Sequence, residues 1–142
     1  MDGQPSEESA RPATVIELES AAGQGDPELS DKFKGWVWLR RGWLEQRGLS
    51  GENCIVIGCK GQSMAPTLPD GCSILIDRSS REWEPSHIVL LRTDEGLVVK
   101  RAAGGEAGAR IMRSDNPAWP DAPLPEGAEI IGRVCWVGCG ID

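Results

Sequence analysis

From residue 54 onward the sequence is written in short apolar runs separated by turn residues. The runs are Cys54–Ile57, Cys72–Ile76, Ile88–Leu91, Leu97–Val99 and Ile130–Val137, with Gly, Pro, Asp and Ser crowded between them. Runs of this length, spaced by roughly ten residues, are strands rather than the helices of βαβ units. The expected fold is therefore mostly β, a compact domain with one or two short helices. One helix is expected earlier, where Trp36, Val37, Trp38, Leu39, Trp43 and Leu44 are followed by Glu45-Gln46-Arg47-Gly48, a polar closure ending near Gly48. The glycine-rich Ala102–Ala109 stretch reads as a loose hairpin connection. At 142 residues the chain has material for a single modest core.

Charge divides the chain unevenly. Residues 1–31 hold eight acids against one base, Arg11, which accounts for the whole formal net charge of −7. With Pro5, Pro12 and Pro27 and few large apolar groups, this segment cannot bury enough surface to fold alone. The expected division is an acidic flexible segment over 1–31 and the folded domain over 32–142, with Val15–Leu18 able to pair as a short strand. A net negative chain is a poor partner for a phosphate backbone. No apolar run reaches a membrane span and no leader pattern opens the chain, so a cytoplasmic location without membrane contact is expected. The five cysteines include no C-x-x-C pair and read as free thiols. With His87 the single histidine, neither a metal nor another cofactor is called for.

The most informative stretch is Gly61-Gln62-Ser63-Met64-Ala65-Pro66-Thr67-Leu68-Pro69-Asp70-Gly71. On spacing alone it admits two readings. Ser63 is the N-cap of a short helical turn, or it is a nucleophile. The second gains weight from Lys100, which ends the apolar Leu97-Val98-Val99 and shares a strand face with Val98. Buried there, its amine has a lowered pKa, and a neutral amine accepts a proton. His87 reads as a strand-end residue.

Ser63-Met64 with Pro66-Thr67-Leu68 and Asp70-Gly71 resembles the nucleophile box of the LexA-like self-cleaving serine/lysine peptidases, a family that includes prophage repressors and UmuD. Val99-Lys100-Arg101 is similar to its general-base box. A weaker similarity covers Ser114-Asp115-Asn116-Pro117 and Ile131-Gly132-Arg133-Val134. The sequence departs from the pattern at Gln62 and Cys72, where acidic residues are usual, and at Ser86-His87, where Gly-Asp is usual. These departures bear on turn geometry rather than on proton transfer.

The resemblance implies that Ser63 attacks a peptide carbonyl while neutral Lys100 takes its proton, and that N–H groups around Ser63 and Met64 hold the oxyanion. It implies self-cleavage after a small residue followed by glycine, for which Ala22-Gly23 is the candidate. The implied setting is a repressor-type regulator in the DNA-damage (SOS) response, a homodimer whose cleavage is promoted by a RecA-type filament. DNA is then reached only through a helix-turn-helix module that this chain does not encode. The alternatives are a stand-alone polymerase regulator like UmuD, or a dimerisation module of the same fold that does not cleave. Trp36, Trp38 and Trp43 are expected in packing or at a subunit contact rather than under nucleic-acid bases.

Overall fold

The computed structural model describes residues 11–141. Its strands are β1 (Pro12–Ala22), β2 (Phe33–Arg40), β3 (Cys54–Cys59), β4 (Cys72–Asp77), β5 (Ile88–Thr93), β6 (Gly96–Gly104), β7 (Arg110–Arg113), β8 (Ala122–Pro123) and β9 (Glu129–Gly138), with one α-helix, α1 (Arg41–Gln46), after β2. They form a 9-stranded sheet in the order β2-β1-β3-β4-β9-β5-β6-β7-β8. The mostly β expectation holds. Every pairing is antiparallel except β1 with β3, which run parallel.

The central strands bury both faces, and alternation sorts their side chains into two cores. Ile55, Ile57 and Cys59 of β3 join Ile74 and Ile76 of β4 in the larger one, which also takes Leu90, Leu97, Val99 and the loop residues Met64 and Leu68. Cys54, Val56 and Leu75 point the other way, into a smaller cluster with Val15 that Leu39, Leu49 and Trp136 flank. Although β1 and β6 are far apart in strand order, Gly23 N–H donates to the Leu97 carbonyl at 2.8 Å. The sheet therefore curls until the end of β1 meets the start of β6.

Two expectations change. The tryptophan-rich run is not one helix: Phe33–Arg40 is a strand, and α1 is only six residues long. Period two explains it, because Gly35, Val37 and Leu39 are half-buried while Trp36 and Trp38 face solvent, 58% and 67% exposed. The helix does close where expected, with Arg47 and Gly48 donating to the Leu44 and Glu45 carbonyls and Gly48 at φ 68°. Secondly, a boundary at residue 31 cuts through a β-hairpin. From Pro12 the acidic segment is an inner strand of the sheet, since β2 and β3 supply the partners it could not find alone. Residues 1–10 of that segment lie outside the described residues.

Candidate active site

Beyond β3 the chain leaves the sheet in a loop that returns at β4. Its base is closed by the Gly71 N–H on the Cys59 carbonyl and the Gly61 N–H on Asp70 Oδ1, both at 2.8 Å. Within it, Ala65 N–H donates to the Gln62 carbonyl at 3.1 Å and Leu68 N–H to the Met64 carbonyl at 2.9 Å. These are successive turns rather than a helix with Ser63 as its cap; the Ala65–Pro66 peptide is cis. Met64 and Leu68 are buried in the larger core and peg the loop to it, leaving Ser63 half-buried beside them. Among the described residues, the Ser63 and Met64 N–H groups have no hydrogen-bond acceptor.

Lys100 sits on β6 opposite Val89 of β5. Burial pushes its ammonium pKa below the usual value, with a weaker opposing pull from Glu95. Its Nζ donates to Ser114 Oγ at 2.8 Å. Ser114 is itself buried and begins a three-residue clasp that joins the lysine strand to the serine loop. Asp115 accepts from Arg101 Nε and Nη2, each at 2.7 Å, and from the Thr67 hydroxyl at 2.6 Å. Asn116 donates its N–H to the Ser63 carbonyl at 2.9 Å and its Nδ2 to the Gln62 carbonyl at 3.0 Å. The Arg101 guanidinium and Thr67 hydroxyl hold the Asp115 carboxyl below its ordinary range, while the same pairing raises Arg101.

The Ala22–Gly23 peptide runs into this corner. Ala22 pairs with Cys59 at the end of β1, its carbonyl accepts from Lys60 N–H at 2.9 Å, and Gly23 N–H donates to the Leu97 carbonyl. The peptide is thus pinned on both sides by main chain. Gly23 has φ +90°, and a Cβ there would lie 2.2 Å from the Lys60 carbonyl oxygen. Only glycine fits. Ala22, Gly23, Ser63 and Lys100 all line one cavity of about 40 Å³, with Met64 and Cys59 in its wall. A drug-sized ligand needs several hundred Å³. This space takes about one water molecule once the chain's own segment is in place. A cleft of about 360 Å³ at the other end of β1, among Thr14, Arg41, Glu45 and Glu52, gathers none of these groups.

Over residues 14–135 the sequence matches the family model described as Peptidase S24-like. The chain belongs to that family. A further relative is an uncharacterized HTH-type transcriptional regulator of Haemophilus influenzae, 27% identical over 99 residues that cover 67% of this chain. Those residues are 41% of the relative's length, so the chain spans about two-fifths of that regulator. The S24-like match covers both boxes and begins eight positions before Ala22. No helix among the described residues is long and apolar enough to cross a membrane.

Ala22, Gly23, Ser63 and Lys100, the residues singled out from sequence, therefore line one corner of this S24-like domain. His87 stands immediately before β5, outside that corner, with its carbonyl accepting from Ala102 N–H. The five cysteines are free, and burial pushes the Cys54 and Cys72 thiols up to about 12. Trp43 lies under the Arg47 guanidinium at 4.2 Å. Sequence reasoning underrated Ser114-Asp115-Asn116, seen only as a weak similarity, although its serine and acid are the partners of Lys100 and Arg101. It missed the Lys60 N–H and Leu97 carbonyl altogether, because main-chain groups carry no residue signature.

Proposed function

We propose that this chain is the self-cleaving serine peptidase domain of a repressor-type transcriptional regulator, cutting its own Ala22–Gly23 bond. The observation that carries the reading is the shared cavity: nucleophile, base and a small-residue–glycine peptide line one space with no room for a separate substrate. Ser63 Oγ adds to the Ala22 carbonyl carbon while its proton passes to the neutral Lys100 amine. The Ser63 and Met64 N–H groups, which have no other acceptor among the described residues, receive the oxyanion, and Lys60 N–H already polarises the same carbonyl. Collapse breaks the C–N bond, with the Lys100 ammonium protonating the Gly23 amine. Water then hydrolyses the Ser63 ester, again with Lys100 as base. Ser114 holds the Lys100 amine in place through both proton transfers. Because the segment is tethered and held in the site, the reaction is intramolecular and gains the corresponding entropic advantage.

The family resemblance extends the reading to a homodimer triggered by a RecA-type filament in the DNA-damage response. The helix-turn-helix regulator among its relatives favours a repressor over a stand-alone polymerase regulator. The test is incubation at mildly alkaline pH followed by intact-mass analysis. Wild type yields fragments 1–22 and 23–142, at a rate that rises with pH as Lys100 loses its proton. Ser63→Ala and Lys100→Ala stay whole under the same conditions. Cleavage surviving in either variant overturns the assigned dyad, and a wild-type chain that never cuts leaves the domain a binding module.

A further inference from the structure

Cutting after Ala22 severs the chain at the end of a strand that the sheet still holds on both sides. β1 pairs with β2 from Pro12↔Arg40 to Leu18↔Phe33, and with β3 from Ile16↔Ile55 to Ala22↔Cys59. Its side chains enter both cores: Val15 is fully buried among Cys54, Val56 and Leu75, while Leu18 and Ala22 pack with Ile55, Ile57 and Met64. Ala13, Ser20 and Ala21 are buried as well. The flank adds Glu19 N–H on the Lys32 carbonyl at 3.0 Å and ion pairs of Lys32 with Glu19 and Lys34 with Glu17. In the strand order β2 has no other neighbour, so β2 keeps its place in the sheet only while β1 is there. None of these contacts depends on the Ala22–Gly23 bond.

We propose that the seam between β2 and β3 is a binding slot for an extended peptide, and that its ligand is the chain's own segment 12–22, retained without a covalent link after cleavage. The recognition is strand addition on two edges at once, with specificity from alternate pockets that take Ala13 and Val15 and then Leu18, Ser20 and Ala22. The inference rests on the cleavage reading for its biological occasion. Its consequence is that hydrolysis leaves a nicked complex, and separation of the pieces is a second step. That step frees the edge of β3, on which another strand of the same pattern could add and re-seat β2.

The test makes the nick by other means. A recognition site for a sequence-specific endoprotease is inserted between Pro27 and Glu28, both exposed, in a Ser63→Ala chain, and the purified protein is cut. On native gel filtration at micromolar concentration the N-terminal piece should co-elute with the body in equal amounts and part from it only in denaturant. A labelled peptide of residues 11–22 added to the nicked protein should exchange into the complex, and a scrambled peptide should not. Val15→Ala, which removes two buried methyl groups, should weaken retention about ten-fold while the uncut variant still elutes as the folded chain. Elution of the piece apart from a folded body, or equal uptake of the scrambled peptide, overturns the slot. A chain with Ser63 intact that never cuts itself overturns the cleavage reading alone.

Discussion

The Ala22–Gly23 peptide makes its hydrogen bonds to main-chain groups, the Lys60 N–H and the Leu97 carbonyl. Lys100 and the serine loop are held differently, by a clasp made chiefly of side chains: Ser114 bonds Lys100, Asp115 bonds Arg101 and Thr67, and Asn116 bonds the Gln62 and Ser63 carbonyls. A main-chain mould reads shape: it is indifferent to most side chains and intolerant of a Cβ where backbone must approach. A side-chain clasp reads chemistry, since each partner is a particular donor or acceptor. The two halves should therefore fail differently. At the Ala22–Gly23 peptide the size of a residue should decide, and around Ser63 and Lys100 its hydrogen-bonding groups should.

The sharpest way to break this contrast is Gly23→Ala. One methyl group would lie 2.2 Å from the Lys60 carbonyl at a φ that disfavours any side chain, so the peptide must leave its mould. Displacement of the reacting carbon by about 1 Å is enough to lower the rate of cleavage at least 10²-fold, read by intact mass at alkaline pH. Gly96→Ala belongs to the same class, because its Cβ would meet the Asp26 carbonyl oxygen at 2.7 Å and push away the loop that follows Gly23. Full-rate cleavage in either variant shows that the mould does not govern reactivity.

Asp115→Asn tests the other half. Asp115 ties β6 to the serine loop through Arg101 and Thr67, and an amide cannot accept the bidentate pair. The expected loss is about ten-fold in cleavage rate with about 2 kcal/mol of stability, less than for a fully buried pair because Arg101 remains partly solvated. The pH dependence has a defined sign. The Asp115 pKa is lowered by folding, so the pair's contribution is complete above the unfolded carboxylate value of about 3.9 and disappears as pH falls through the lower folded value. Thermal melts of wild type and variant should differ at pH 7 and converge in acid below that value. A constant difference across this range assigns the loss to something other than ionisation.

Ser114→Ala is a gentler cut into the same clasp. The hydroxyl accepts from Nζ and favours the charged lysine, so its removal lowers the Lys100 pKa further, beyond what burial already does. The alkaline rise of the rate should therefore begin at lower pH, while its plateau falls about ten-fold as the amine loses its fixed position. A role confined to packing would lower the plateau without moving the rise.

How much of this was legible in sequence follows from the same contrast. The strands at Cys54, Cys72, Ile88, Leu97 and Ile130 were readable because their apolar runs are bounded by turn residues. Ser63 and Lys100 could be singled out because a hydroxyl and an amine are side-chain groups that a sequence displays. β2 was hidden by Trp36 and Trp38, whose exposure on an outer strand reverses the usual apolar-inward rule and lets the run pass for a helix. The full length of β1 was hidden because acids and prolines lower its intrinsic tendency to order, and the partners that override it come from β2 and β3. The clasp was half visible, as residues without roles; the mould, being main chain, left no trace beyond the two glycines that it requires.

The smallest predicted effect falls on the dyad side, at one position where backbone rather than side chain is decisive. Ser86 is a non-glycine residue held at φ 77°. Its side chain makes no bond that fixes it there among the described residues; its N–H donates to the Ala102 carbonyl at 2.9 Å and its carbonyl accepts from Arg101 Nη1 at 2.6 Å. Both bonds are main-chain properties that glycine keeps. A left-handed conformation costs an L-residue about 1–2 kcal/mol, and glycine returns about 0.5–1 kcal/mol of that through its more flexible unfolded chain. Ser86→Gly should therefore raise stability by about 0.5–1 kcal/mol, a few degrees in Tm for a domain of this size. Cleavage should be unchanged, since Arg101 keeps its acceptor and Asp115 keeps its partner. A lower Tm would mean that the serine hydroxyl holds this turn, and that the dyad side depends on side chains even at its strained backbone.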